Sequence, residues 1–388
     1  MSEPQNGYKR YCLSITGENS HVFDLQIGQG SLSIGTKGIS EGKYDIWVEP
    51  GIPINWDAFN NCYTGYGAEH KEDIPYGDWP RWIYYSGNDT GFIEWTKKRR
   101  AEGFNWIPCE DVDVDLENAS IDQLGLDLKK HIRITVDKTI RSIIMTGDPR
   151  NADVKAKGKM PQLTFVLKDF YAIPDFEALH NVEHIGIEIS PLENAFDCES
   201  LLQFKHLKYL NLRGNICNAA SLAELHELQS IGLRYIPDLD GFPDLGSWKD
   251  LKSFIGWNIE ENAGKRLRKQ LKSLEKEREF EWSSVSQLRS KTWFATEYDN
   301  PFKEWDGPLG KKASKIYKDY LKEIKKSTDE DVVRESIIRF SKVFNEFGDL
   351  DTVQREFVAD AVGRLVIASP IDIDRDTWLE WFDSVRDY

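Results

Sequence analysis

Seven histidines, five cysteines and three charged or aromatic clusters are the residues of this 388-residue sequence whose types could do chemistry. His180 and His184 stand four apart, the spacing at which two imidazoles on one helix face hold zinc. Here the surrounding apolar pattern puts one on a return segment and the other on a strand, so they do not share a face. His21, His70, His131, His206 and His226 add no ligand set. The cysteines (Cys12, Cys62, Cys109, Cys198, Cys217) are odd in number, scattered and without a C-x-x-C pair. They read as free, mostly buried thiols of a reducing compartment. Gly28-x-Gly30 lies between predicted strands with no helix after it, so it lacks the context of a dinucleotide loop. Neither a phosphate-binding G-x-x-x-x-G-K-[ST] loop nor a G-x-S-x-G nucleophile turn occurs. The expectation is a non-enzymatic protein with no cofactor and no metal.

The clusters have plain readings of their own. Glu110, Asp111, Asp113 and Asp115 alternate with Val112, Val114 and Leu116, which predicts a half-buried strand with a solvated acidic face. A calcium loop would need the EF-hand spacing and its glycine, and has neither. Between Lys265 and Arg278 seven Lys/Arg face two acidic residues, which predicts a solvated basic helix closing the array described next. Six of the 13 Trp fall between residues 47 and 106. With them, Tyr63, Tyr66, Tyr76, Trp79, Trp82, Tyr84 and Tyr85 form an aromatic cluster able to stack on sugar rings, although aromatic residues more often fill cores. A glycan-binding protein or an enzyme with its site in this Trp-rich amino-terminal region is the alternative reading.

The elements that position these residues follow from a repeat. Four segments share the order apolar-x-x-apolar-x-x-apolar-x-x-apolar-x-apolar. They are Phe176, Leu179, Val182, Ile185, Ile187; Leu201, Phe204, Leu207, Leu210, Leu212; Leu222, Leu225, Leu228, Ile231, Leu233; and Leu245, Trp248, Leu251, Phe254, Gly256. Nineteen of these twenty positions are apolar, against about eight for a 40% apolar chain. The segments recur after 25, 21 and 23 residues. In each, the last two apolar positions flank one outward residue, which is strand periodicity. The first three, spaced by three, suit a helical or 3₁₀ return. Met160, Leu163, Phe165; Ile140, Ile143, Met145; and Ile121, Leu124, Leu126 extend the pattern backwards.

This pattern resembles the leucine-rich-repeat family, and Leu207-Lys-Tyr-Leu210-Asn-Leu212-Arg-Gly-Asn215 matches it through its final Asn. The other copies carry Ser190, Ile236 and Ile259 at that place, so the repeats are degenerate. The resemblance implies an α/β solenoid whose neighbours stack, and an Asn215 amide bonded to backbone groups of the turn after the strand. The solenoid is placed at 112–261. Residues 1–111 are read as a strand-rich amino-terminal domain capping it, with strands at Tyr11–Ile15, Phe23–Ile27, Tyr44–Val48 and Trp82–Tyr85. Residues 262–388 are read as an α-helical carboxy-terminal bundle. Its clearest helix carries Val333, Ile337, Phe340, Phe344 and Phe347, ends at Gly348, and is followed by one started by Asp351 and Thr352 with Val353, Phe357, Ala361 and Leu365 as its apolar face. The stretches Glu297-Tyr-Asp-Asn-Pro-Phe-Lys-Glu-Trp305 and Phe344-Asn-Glu-Phe347 resemble modules beside repeat arrays in bacterial immunity-type proteins.

Composition bounds the partners. A formal net charge of −15 and a pI near 5.1 repel nucleic acid and anionic lipid and favour a basic partner. No signal peptide and no membrane-spanning run are read in the sequence, so a cytoplasmic protein is expected. In a leucine-rich strand the residues between the apolar anchors face the concave side. That puts Gln162, Thr164, Val166; His184, Gly186, Glu188; Tyr209, Asn211, Arg213; Ser230, Gly232, Arg234; and Ser253, Ile255, Trp257 on one surface. Tyr209, Asn211, Arg213, Arg234 and Trp257 are the expected protein-binding residues, since Tyr, Arg and Trp anchor interfaces. Gly186 and Gly232 are expected to leave the middle of that surface shallow. The partner expected is a protein, in the sharpest version a basic toxin held by its immunity protein.

Overall fold

The computed structural model describes residues 7–62, 78–305 and 307–387. The chain falls into two compact units, 1–289 and 290–388. Among the described residues no helix is long and apolar enough to cross a membrane.

The first unit opens with an antiparallel hairpin, β1 (Tyr8–Leu13) and β2 (His21–Gln26), followed by β3 (Ser31–Thr36) and β4 (Ile46–Val48). Next come β5 (Trp82–Ser86), helix α1 (Phe92–Lys98), β6 (Ala101–Ile107), β7 (Val112–Asp115), β8 (Ile121–Asp127) and β9 (Ile132–Asp137). β10 (Ser142–Gly147), β11 (Ala152–Lys157), β12 (Gln162–Leu167), β13 (His184–Ile189) and the short β14 (Phe196–Asp197) follow. The unit ends with β15 (Tyr209–Arg213), the short β16 (Ile216–Cys217), β17 (Ser230–Arg234), β18 (Ser253–Trp257), helix α2 (Glu261–Leu274) and β19 (Trp282–Ser286).

Among the described residues twelve strands form one sheet in the order β19-β18-β17-β15-β13-β12-β10-β8-β6-β5-β3-β4. Every neighbouring pair in it runs parallel, which makes this an α/β protein built on a large parallel sheet. Parallel neighbours need a return path for each strand. Short 3₁₀ turns at Glu177–Leu179, Cys198–Gln203, Ala219–Glu224 and Leu245–Ser247 lie on the later returns, where the spacing of three predicts them. The earlier returns hold β7, β9 and β11 instead, which pair into a parallel sheet of their own. Strand alternation then sorts the side chains. Leu163, Ile185, Leu210, Ile231 and Phe254 stand in register on the inner face, none more than 1% exposed. Leu179, Leu201, Leu222 and Leu245 close the core from the return side.

Two expected boundaries are corrected. The 111/112 division falls inside the first unit, because β3, β5 and β6 hydrogen-bond into the same sheet as β8. Residues 1–111 are therefore not a separate capping domain. Among the described strands at that end the hairpin alone lies outside the large sheet, and the His21 ring meets the Trp47 carbonyl of β4 at 3.0 Å. The 261/262 division also falls inside the first unit, since β19 pairs with β18.

The second unit is helical: α3 (Lys291–Thr296), α4 (Gly307–Ile324), α5 (Glu330–Asn345), α6 (Thr352–Ile367) and α7 (Arg375–Asp383). Val333, Ile337, Phe340 and Phe344 face its core with no exposure, as their spacing predicts. Helix α5 stops at Asn345, before the expected Phe347, with Glu346 as its cap, and Gly348 two residues further on takes a φ of +82° in the turn toward α6. Asp351 and Gln354 start α6 with a reciprocal capping box. The apolar face expected for α6 is shifted. Val353 is exposed, and Val358 and Val362 join Ala361 and Leu365 in the core. α6 is apolar over most of its circumference, so spacing alone does not select the buried side.

Candidate functional site

Residues that alternate with the core positions rise from the open face of the large sheet. The parallel register places Glu188 beside Arg213, Arg213 beside Arg234, and Arg234 beside Trp257. One row inward, Thr164, Gly186, Asn211, Gly232 and Ile255 stand side by side. His184, Tyr209 and Ser230 form the third row. A cleft of about 400 Å³ opens over β8 to β17, with Gln123, Gln162, His184, Glu188, Asn211, Arg213 and Arg234 among its walls.

Three of the five expected binding residues, Asn211, Arg213 and Arg234, thus line one cleft. Tyr209 lies at its margin, in an adjoining hollow of about 470 Å³ that shares Gln162 and His184. Its ring stacks on His184, centroids 5.2 Å apart. Burial holds the His184 imidazole below its ordinary pKa, which favours the neutral ring at neutral pH. Trp257 is outside the cleft walls. It is half-buried and packs edge-on against Tyr235 at 5.1 Å.

Tyr235 is the residue that sequence reasoning missed. The Arg213 guanidinium sits 5.1 Å from its ring centre, so one buried phenol supports both an Arg and the Trp of the stripe. Tyr235 has a φ of +55°, a region that bulky residues avoid. Gly214 and Asn258 take φ values of +99° and +53° at the same place, one residue past β15 and β18. A Tyr where the neighbouring turns carry Gly and Asn was the available signal.

The shallow middle expected at Gly186 and Gly232 is corrected in part. A Cβ at Gly232 would run into the Asn211 amide oxygen, so Asn211 lies across the glycine and fills the space. At Gly186 a Cβ would come within 3.2 Å of Thr164 Oγ1. The same device recurs earlier, where Asn105 lies over Gly125. These glycines admit the side chain of the preceding strand and leave Arg213 and Arg234 to frame the cleft.

The other candidates resolve into structure. Asn215 donates to the Leu192 carbonyl at 3.0 Å and accepts from Ile216 N–H, so the amide ties successive turns together. His180 pairs with Asp175 at 2.7 Å and does not meet His184. Among the described residues no group of His, Cys, Asp and Glu is placed to hold a metal. Asp113 and Asp153 flank Arg133 at 3.1 and 2.7 Å, an ion-pair ladder across β7, β9 and β11. In the basic run, Arg266 donates to the Phe242 carbonyl, Arg268 to that of Val285 and Arg278 to that of Trp248, so these cations cap backbone acceptors of nearby segments.

In the Trp-rich region, Trp56, Trp95 and Trp106 are buried around a stacked Phe92–Phe104 pair at 4.3 Å. Their indole N–H groups are bonded to Asp89, Asn60 and the Gly87 carbonyl. Tyr63, Tyr66, Tyr76 and His70 lie outside the described residues. A hollow of about 380 Å³ there includes Cys109, Tyr85 and Asp89. Asp89 already accepts from Ile54, Trp56 and Gly91, and burial raises the Cys109 thiol, which disfavours its thiolate. Comparison with protein-family models, curated proteins and solved structures finds no match to this chain.

Proposed function

We propose that this chain is a non-enzymatic protein-interaction scaffold of the leucine-rich-repeat type. In this reading each strand with its return is one turn of a solenoid, and the open face of the sheet grips a partner protein. The observation that carries it is the juxtaposition of Arg213 and Arg234 on adjacent strands at the mouth of one polar cleft. Parallel strands hold the backbones that carry these side chains in a fixed frame, and Arg213 is further held against the Tyr235 ring, which lowers the ordering cost of binding. Planar guanidinium groups grip carboxylates through paired hydrogen bonds. Tyr209 at the margin and Trp257 at the end of the row supply apolar contact of the kind found in interface anchors.

The sharper form of the proposal is an immunity protein whose partner is a basic toxin. Its support is the net charge of −15, which steers a basic protein toward the chain, while Arg213 and Arg234 receive a local carboxylate of that partner. Affinity purification from the native cell followed by mass spectrometry identifies the partner. Calorimetric titration then compares the wild type with an Arg213→Ala/Arg234→Ala variant. The expected result is a loss of about 2–4 kcal/mol in binding with an unchanged circular dichroism spectrum, the melting temperature falling only by the share of the lost Arg213–Tyr235 contact. Trp257 is left in place because it packs on Tyr235. Unchanged affinity with an intact fold sinks the open-face reading.

A further inference from the structure

We infer that the second unit carries a docking groove for an amphipathic helix of a partner protein, one that flanks its apolar stripe with lysine or arginine. The groove occupies about 830 Å³ between α6, α7 and the turn that joins them. Val366, Ile367, Ile371, Ile373, Trp378 and Leu379 make it apolar. Ile367 is 83% exposed, more than any other large hydrophobic side chain among the described residues. Leaving that much apolar surface in water is unfavourable by about 25 cal/mol per Å², which a docked partner would recover. Gly363 is also part of the groove lining. A Cβ there would touch Trp378 ring atoms at 3.6 and 3.7 Å, so the indole lies close over α6.

Two physical arguments choose the occupant. The first is backbone hydrogen bonding. Among the described residues every regular element of this unit is a helix, so it offers no strand edge for an extended peptide to pair with. A segment entering an apolar groove must then satisfy its own N–H and C=O groups, and a helix does so.

The second argument is charge. Residues 356–383 contain seven acidic and two basic side chains. On α7, Asp376 and Glu380 stand four apart, beside the Arg375, Trp378 and Leu379 side that lines the groove, while Asp383 further along is already paired with Arg386 at 3.0 Å. Asp372 lies in the groove wall itself. Asp372, Asp376 and Glu380 are exposed and have no ion-pair partner among the described residues. Arg375 is the basic lining residue, and Asp360 is already paired with Arg364 at 2.8 Å. The flank therefore favours cations on the incoming helix. The lysine-rich α4 of a second copy does not meet the requirement, because its apolar residues Ala313, Tyr317 and Ile324 are buried in its own core.

The test uses the full chain and a fluorescent model peptide of about 18 residues, made of leucine at i, i+3, i+4 and i+7 positions and lysine elsewhere. Anisotropy titration is expected to show binding that weakens at least about tenfold in an Ile367→Lys/Asp372→Lys variant, about 1.4 kcal/mol. Both positions are exposed, so circular dichroism should be unchanged. A peptide with glutamate in place of lysine is expected to bind at least about tenfold more weakly. Three results overturn the inference. One is a lysine peptide that fails to bind, or binds the variant as tightly as the wild type. Another is equal binding of the glutamate peptide. The third is a wild-type dimer in sedimentation that Ile367→Lys abolishes, which would assign the groove to a second copy.

Discussion

Arg213 and Arg234 stand side by side in the register, where like charges on adjacent strands repel. The structure relieves this by drawing Arg213 over the Tyr235 ring and leaving Arg234 exposed. The left-handed conformation of Tyr235 costs about 1–2 kcal/mol, and its buried ring, packed against Trp257, offsets that cost. The same alternation that lifts these side chains sends their neighbours inward. Leu210, 1% exposed, sits between two residues that face away from the core, Tyr209 and Asn211. Leu210→Ala is expected to destabilise by about 2–5 kcal/mol. Lys208→Ala, which removes a partly exposed, solvent-screened ion pair with Glu183, should cost far less. Urea denaturation of the two variants compares them directly, and equal midpoints would show that the register is misassigned.

At the scale of the element, each strand must end in a turn that starts the return. Gly214 follows β15 with a φ of +99°, and a Cβ there would run into the carbonyl oxygen of Ile189, the last residue of β13. Gly246, inside the 3₁₀ turn of a later return, has open space around its Cβ position and an ordinary φ. Gly214→Ala is therefore expected to lower stability by at least about 2 kcal/mol, while Gly246→Ala leaves it within about 1 kcal/mol or raises it. Thermal melting of both variants is the check. A tolerant Gly214 would mean that the turns between strands are not held by close backbone approach.

For the whole molecule, the two units have separate hydrophobic cores. The smaller one contains Phe302, Phe340, Phe344, Val362 and Phe382, all at most 1% exposed, which is a core of its own. Residues 290–388 expressed alone are expected to give a helical circular dichroism spectrum and a cooperative melt. A random-coil spectrum would show that this unit depends on the rest of the chain. The larger unit draws its order from a sheet in which, among the described residues, each strand but β4 and β19 is held by neighbours on both sides. The proposed repeat scaffold therefore rests on nearest-neighbour contacts.

How much of this was legible in the sequence depended on which interactions write a period. Inward and outward positions of β12 to β18 follow from alternation, so the spacing of apolar residues alone located the rows containing Arg213 and Arg234. The face of α5 was readable for the same reason, with its apolar residues spaced by three and four. Pairing between strands leaves no such trace, because backbone hydrogen bonds are blind to side-chain identity. That is why β5 and β6, rich in aromatics and lacking the leucine spacing, read as a separate domain although they continue the same sheet. The support of Arg213 by Tyr235, the covering of Gly232 by Asn211 and the groove beside Ile367 were likewise decided by tertiary structure. Each joins residues through space at distances that no local pattern encodes. The sequence alone determined which faces are apolar; packing determined which of them stay open.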